Sequence, residues 1–240
     1  MRTLAPFAPI ALNSFHGIAH TSMKIPIITR ILKRRRKPLC IVFTGDEIGL
    51  ECSMDLVLEF KLGKGVPLTD ELKNTILARQ RIVDAKQRAL AYATYKPRTV
   101  AQVRKKLQET KHTAHEQDLA IQYLTEFNYL NDTEYARMFV KDFLQRKPSS
   151  ASKVKMELRR RGIAELAAQE AIEQFFPKDD TYTLALKAAE KKVRSVTHKP
   201  LAKQQIALVG YLQRQGFSWD TIKQVLAEVL PKVTDFDEKM

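Results

Sequence analysis

The residues of this chain best placed to do chemistry are cations, and the chemistry they suit is the binding of a polyanion. Lys96, Arg98, Arg104, Lys105, Lys106 and Lys111 form one cluster. Arg146, Lys147, Lys153, Lys155, Arg159, Arg160 and Arg161 form a second, and Lys191, Lys192, Arg194, Lys199, Lys203 and Arg214 a third. One such cluster reads most simply as a solvated face; three at similar intervals along the chain are harder to dismiss, and together they suit a long polyanion or a filament built around one. Material for catalysis is thin. His112-x-x-His115 has the spacing of a metal pair, but no Cys, Asp or Glu cluster accompanies it. No phosphate-binding loop, dinucleotide fingerprint or nucleophile elbow occurs, and eight glycines leave little to build one. The carboxylates are scattered among cations, as surface pairing would have them. The chain reads as a binding protein with no catalytic residues, no metal and no cofactor.

The elements that carry these cations announce themselves by a repeat. Lys96-Pro97, Lys147-Pro148 and Lys199-Pro200 stand 51 and 52 residues apart, and each opens a basic, apolar-periodic stretch. Six residues past each proline comes a β-branched residue: Val103, Val154 and Ile206. Proline turns the residue before it away from the helical region, so a helix should end there. Thr99 and Ser150 then offer N-caps, and Val100, Val103 and Leu107 share one helix face. The third copy departs, with Ala202 at the cap and Gly210 at the leucine position, as terminal units of arrays often do.

A second signal marks corners: Leu124-x-x-x-Asn128-Tyr129, Leu158-x-x-x-Gly162-Ile163 and Leu212-x-x-x-Gly216-Phe217. Gly or Asn takes the left-handed conformation just past a helix end, and the next apolar residue folds back on the leucine. Asn131, Asp132 and Ser218 stand where the following helices need caps. Tyr135, Phe139 and Phe143, and Trp219, Ile222, Leu226 and Val229, recur at core-facing spacing. Helices are expected near 99–109, 115–127, 131–146, 150–161, 164–176, 179–196, 201–214 and 218–230.

Upstream the text is β-like. Residues 27–32, 39–44 and 48–52 predict two or three antiparallel strands, with the basic run 33–37 as an exposed loop. Ser53 caps a short helix ending near Lys61. Thr69 starts another that runs to Tyr95, with a break near Gln80. Residues 1–23, rich in proline and small residues, read as a disordered leader and a poor signal peptide. Cys40 and Cys52, the only cysteines, read as reduced structural thiols. No apolar run is long enough to span a bilayer. With 41 Lys+Arg against 27 Asp+Glu, the net charge is +14.

The fold expected is therefore mainly α, an elongated tandem array of three three-helix, helix-turn-helix-like repeats with a small N-terminal β-hairpin/α region. The divisions are a leader (1–23), a β-hairpin plus helices (24–80), repeats at 81–130, 131–177 and 178–231, and a tail (232–240).

At these residues the sequence resembles the RecX family, regulators of the RecA recombinase. The resemblance rests on Tyr95-Lys96-Pro97-Arg98-Thr99 with Val103-Arg104-Lys105-Lys106-Leu107, then Tyr129-Leu130-Asn131-Asp132 with Tyr135-Ala136. It continues through Arg146-Lys147, Glu157-Leu158-Arg159-Arg160-Arg161-Gly162-Ile163 and Tyr211-Leu212-Gln213-Arg214-Gln215-Gly216-Phe217. The family usually has Gly at position 128 and at position 148, where this chain has Asn128 and Pro148. The resemblance implies a cytoplasmic, monomeric protein that lies in the helical groove of the RecA–single-stranded-DNA filament and inhibits its recombinase, ATPase and coprotease activities. Direct DNA binding would be weak and sequence-independent, with no membrane. Arg98, Arg104, Lys105, Lys106, Arg159, Arg160 and Arg161 are the contact residues expected on charge and placement; Tyr129, Asp132 and Tyr135 are expected to be structural. The competing class is a helix-turn-helix transcriptional regulator, which needs one base-reading helix rather than cations spread over several.

Overall fold

A computed structural model describes residues 25–35, 37–176 and 181–230; the expected leader and tail lie outside them. The chain divides into two units, Met1–Leu77 and Ala78–Met240.

The first unit is built on three strands, β1 (Ile28–Lys33), β2 (Leu39–Thr44) and β3 (Glu47–Ser53), antiparallel in the order β1-β2-β3. Gly45, with φ 67°, opens the two-residue turn between β2 and β3. Alternation sends Cys40, Val42, Leu50 and Cys52 to one face, where they bury against Leu56, Val57, Leu62, Leu68 and Ile76. Cys40 and Cys52 are cross-strand partners, unbonded and fully buried. Burial, then the neighbouring Cys40, pushes the Cys52 thiol up to about 11. Ser53 caps α1 (Met54–Glu59) by accepting from the Leu56 amide. The basic run is less free than expected: Lys33 belongs to β1, and Arg34 pairs with Glu51 at 2.9 Å.

Helix α2 (Asp70–Tyr95) begins with Thr69 accepting from the Leu72 amide and runs unbroken past Gln80. The expected break is absent because no Gly or Pro interrupts residues 70–95, and Gln80 donates to Asp84 one turn on. The second unit holds the rest of α2 with α3 (Val100–Glu109), α4 (Ala114–Glu126), α5 (Asp132–Arg146), α6 (Ala151–Arg160), α7 (Glu165–Phe175), α8 (Thr181–Val193), α9 (Leu201–Arg214) and α10 (Trp219–Val229). It has three cores. Ala85, Ala89, Val103, Leu107, Ala120 and Leu124 form the first. Ala136, Val140, Val154, Leu158, Ala168 and Ile172 form the second. Leu184, Ala188, Leu208, Leu212, Ile222 and Val225 form the third. Each repeat is thus three helices closed on their own apolar faces.

The structure resets the register of the repeat. Counted back from the corners, Val103, Val154 and Leu208 are equivalent, as are Leu107, Leu158 and Leu212; all six are fully buried. Ile206, the residue that counting from the proline selects, is 73% exposed. α9 starts directly after Pro200, whereas α3 and α6 start three residues past their prolines, so the third copy gains a turn ahead of its core. Proline count therefore misleads, and the buried leucine does not. The corner at Asn128 forms as expected, the Tyr129 amide donating to the Leu124 carbonyl at 2.8 Å, but it is not the equivalent of the other two. Lys111, with φ 59°, stands where Gly162 (φ 78°) and Gly216 (φ 82°) stand. The amides of His112, Ile163 and Phe217 donate back to Leu107, Leu158 and Leu212 at 3.1–3.2 Å. Asn128 (φ 58°) closes α4 instead.

Adjacent repeats meet through one kind of joint: the corner after the middle helix of one repeat lies against the start of the middle helix of the repeat before it. At the first joint Thr99 Oγ1 donates to the Arg161 carbonyl (2.7 Å), and a Cβ on Gly162 would overlap that of Ala101. At the second the Ser150 amide donates to the Gln215 carbonyl (3.0 Å), Ser149 Oγ donates to Gln215 Oε1 (2.9 Å), and a Cβ on Gly216 would stand 2.5 Å from Ser150 Oγ. Only glycine allows both the left-handed turn and this approach. Asp132 joins the first joint: its Oδ1 accepts from the Val100 amide at 2.9 Å, so it caps α3, while Asn131 caps α5. Burial raises the Asp132 carboxyl above the usual range.

Candidate partner-binding surface

The seven cations expected to touch a partner separate into two groups. Thr99, through a capping box with Gln102, starts α3 and fixes where its cations point. Arg104 crosses to Asp118 of α4 at 2.7 Å. Arg98 lays its guanidinium 4.0 Å over the Tyr92 ring, with Nε buried. Arg161 is 4.2 Å from the Phe139 ring centroid and donates to both the backbone oxygen and the carboxylate of Glu157, which it holds below the usual carboxylate range. Arg98 and Arg161 are thus committed to the fold, while the Arg104–Asp118 pair lies at the surface, the two side chains 38% and 61% exposed.

The other four face solvent. Lys105 is exposed and has no ion-pair partner among the described residues; Lys106 has only Glu109, at 3.5 Å. Arg159 and Arg160 are 79% and 71% exposed at the side chain, at 3.6 and 3.5 Å from Glu165 and Glu157. Exposed pairs of this geometry are worth under about 1 kcal/mol, so the four charges remain available. They do not repeat position for position. In the corrected register Lys105 and Lys106 of α3 match Met156 and Glu157 of α6, while Arg159 and Arg160 match Gln108 and Glu109. Arg104 and Lys155 do match, and both are tied to acids, Asp118 and Glu165.

His112 is a structural partner. Glu116 accepts from Arg81 Nε and Nη2 (2.6 and 3.0 Å) and from the Thr113 amide (3.0 Å), with His112 Nδ1 at 3.1 Å. The Arg81 guanidinium holds the Glu116 carboxyl down to about 2. Among the described residues no group of three or more His, Cys, Asp or Glu could hold a metal ion.

Sequence reasoning missed a groove. Tyr135, Met138, Phe139, Asp142, Phe143 and Arg146 of α5 line it with Lys96, Pro97, Lys147 and Arg161, around about 570 Å3. The stripe Tyr135–Phe139–Phe143, expected in the core, is half in it: the rings pack on the second core and also wall the groove. Met138, 47% exposed between them, was the available signal. Tyr129, expected to be packed, is 48% exposed and lines the adjoining hollow. Trp219 is likewise 50% exposed rather than buried.

Known proteins match both the sequence and this architecture. The three units match the first, second and third three-helix domains of RecX, at residues 85–124, 131–172 and 178–226, together more than half of the chain. The regulatory protein RecX of Lactobacillus gasseri is 28% identical over 219 residues, 90% of this chain and 79% of that protein. That of Clostridium acetobutylicum is 25% identical over 206 residues, 84% and 95% of the two chains. A crystal structure of regulatory protein RecX superposes with a TM-score of 0.66 at 23% identity, covering 84% of this chain and 99% of that one. RecX from Lactobacillus salivarius superposes at 0.52, also at 23% identity, covering 62% and 96%. These two likenesses concern the fold.

Proposed function

Because the chain belongs to the RecX family of regulatory proteins, we propose that it binds the RecA–single-stranded-DNA filament in its helical groove and inhibits recombinase, ATPase and coprotease activities. It acts by occupancy rather than by catalysis, as a cytoplasmic monomer whose own affinity for DNA is weak and indifferent to sequence. Its working units are the repeats at 81–130, 131–177 and 178–231. The observation that carries this reading is the set of uncommitted cations, Lys105 and Lys106 on α3 and Arg159 and Arg160 on α6. Several helices offering charge to a phosphate-rich body suit backbone or filament contact better than the reading of bases by one helix. Arg98 and Arg161, laid on rings, support the surface from beneath, and Arg104, paired with Asp118, stands beside the free cations.

The test is single-stranded-DNA-dependent ATP hydrolysis by RecA at substoichiometric amounts of this protein. Hydrolysis falls with the native chain. The combined variant Lys105→Glu, Arg159→Glu, Arg160→Glu needs at least about tenfold more protein for the same inhibition, because each attraction between a cation and the filament becomes a repulsion. An unchanged rate across a wide range of native protein removes the reading. Strong preference for one duplex sequence without RecA would replace it with a transcriptional regulator.

A further inference from the structure

The groove on α5 has a chemistry of its own, separate from that of the free cations on α3 and α6. Met138, Phe139 and Phe143 give it an apolar lining, and Lys96, Arg146 and Lys147 stand around them with the single acid Asp142. These three cations are exposed, and none has an ion-pair partner among the described residues. Arg161, the fourth cation of the lining, is already held by Phe139 and Glu157. Cations at the end of a helix also answer its dipole, which accounts for Arg146 without any partner. It does not account for Lys96, which comes from the turn after α2.

The backbone under the cations is fixed. The Arg146 carbonyl accepts from Lys191 Nζ (2.8 Å), the Lys147 carbonyl accepts from Ser149 Oγ (2.9 Å), and the Lys147 amide donates to the Phe143 carbonyl (2.8 Å). Two charges presented from a held helix end lose less freedom on binding. A second hollow continues the groove: it shares Lys96, Pro97, Tyr135 and Met138 and adds Tyr129, which is half exposed. From residue 135 to residue 146 the helix rises about 17 Å, the reach of about five residues of extended chain. The rings are poorly disposed to stack on bases, because the Phe139 face is covered by the Arg161 guanidinium and Phe143 tilts against Phe139 at 5.3 Å. A methionine among ring edges instead adapts to a bulky apolar side chain.

We propose that the α5 groove is a docking site for a short acidic segment of a partner protein. A bulky apolar side chain of that segment sits against Met138 and Phe143, and carboxylates beside it pair with Lys96, Arg146 and Lys147. Three unpaired cations against one acid supply the charge complementarity, and the apolar lining supplies the anchor. Such docking leaves Lys105, Lys106, Arg159 and Arg160 free for phosphates, and it is measurable without any filament.

The experiment reads the anisotropy of a fluorescent synthetic peptide, one tryptophan between paired glutamates, titrated with the full-length chain. Arg146→Glu with Lys147→Glu should weaken binding at least about tenfold, and Met138→Gln, which removes only apolar contact, at least about threefold. All three positions are exposed, so none of these changes removes a core contact. Two further peptides leave the native protein untouched: alanine in place of the tryptophan, and glutamine in place of the glutamates. Each should bind at least about tenfold more weakly than the parent peptide. Absence of binding by the native chain, or equal binding of the three peptides, overturns the proposal. So does a loss on charge reversal that neither Met138→Gln nor the alanine peptide reproduces, which would mean a contact of charge alone. A thymidine oligomer that binds more tightly than the peptide, displaces it and is weakened by the same substitutions would assign the groove to nucleic acid.

Discussion

Gly162, at the corner after α6, lies so close to Ala101 of α3 that a methyl group on the glycine would overlap that of the alanine. The contact joins two repeats that are 61 residues apart at this point in sequence. Gly162→Ala therefore meets two costs, a left-handed φ of 78° and an overlap that no side-chain rotation relieves. Together they amount to roughly 2–4 kcal/mol. Urea unfolding of the whole chain measures it. Gly216→Ala should be destabilising as well, because its φ is 82° and the nearest atom is the hydroxyl of Ser150, which can turn aside only by giving up its cap on the Lys153 amide.

Lys111 holds the same left-handed turn at the first repeat's corner without glycine's freedom. Lys111→Gly relieves about 1 kcal/mol of backbone strain, offset in part by the entropy of the unfolded chain. A small rise in melting temperature is expected; a fall would mean that the lysine side chain contributes more than its backbone costs.

The corrected register predicts opposite outcomes for two apolar residues two positions apart. Leu208→Ala, at a fully buried site, should cost about 2–5 kcal/mol, whereas Ile206→Ala, at a site 73% exposed, should stay within about 0.5 kcal/mol. Comparable losses at both positions, read from denaturant midpoints, would restore the proline-based count.

The clasp on Glu116 sets an acid limit. Its carboxyl sits near 2 in the folded chain and near 4.3 in the unfolded one. The stabilisation is whole above the higher value and is lost as pH falls toward the lower. Thermal melts from pH 6 to pH 2 should show a steeper decline for the native chain than for Glu116→Gln. The variant should also be less stable by roughly 2 kcal/mol at pH 6, since it leaves Arg81 without its anion.

Asp132 is expected to act at a distance from its own helix. Asp132→Ala removes the carboxylate from the Val100 amide and should cost about 1–2 kcal/mol. Hydrogen exchange should increase at the start of α3 rather than at the start of α5, where Asn131 still caps.

Helices were legible wherever cap, apolar period and corner agreed. Thr99, Ser150 and Ser218 cap as their types require, and the corners at Gly162 and Gly216 close on their leucines. What failed were inferences that needed a partner from another repeat. Asp132 looks like a cap for the helix it begins, and only the fold brings α3 to it. Lys111 gives no turn signal because a non-glycine residue there bears the strain unannounced. Among the cations, charge and spacing picked out seven, but whether an arginine lies on a ring, as Arg98 and Arg161 do, depends on which aromatic residue arrives opposite. The stripe on α5 reads as core because periodicity identifies a face without saying how much of it is covered.

The joint between repeats asks for small side chains on both of its sides. Gly162 meets Ala101 at the first joint, and Gly216 meets the serines at the start of α6 at the second. The outer positions of the same geometry are built differently: Lys111 stands at the first repeat's corner with Arg81 bonded to its carbonyl, and Ile206 stands in α9 where Ala101 and Ser152 stand in the earlier repeats. A single substitution at Gly162 or Gly216 therefore acts on two repeats at once, whereas one at Lys111 or Ile206 is felt within its own repeat.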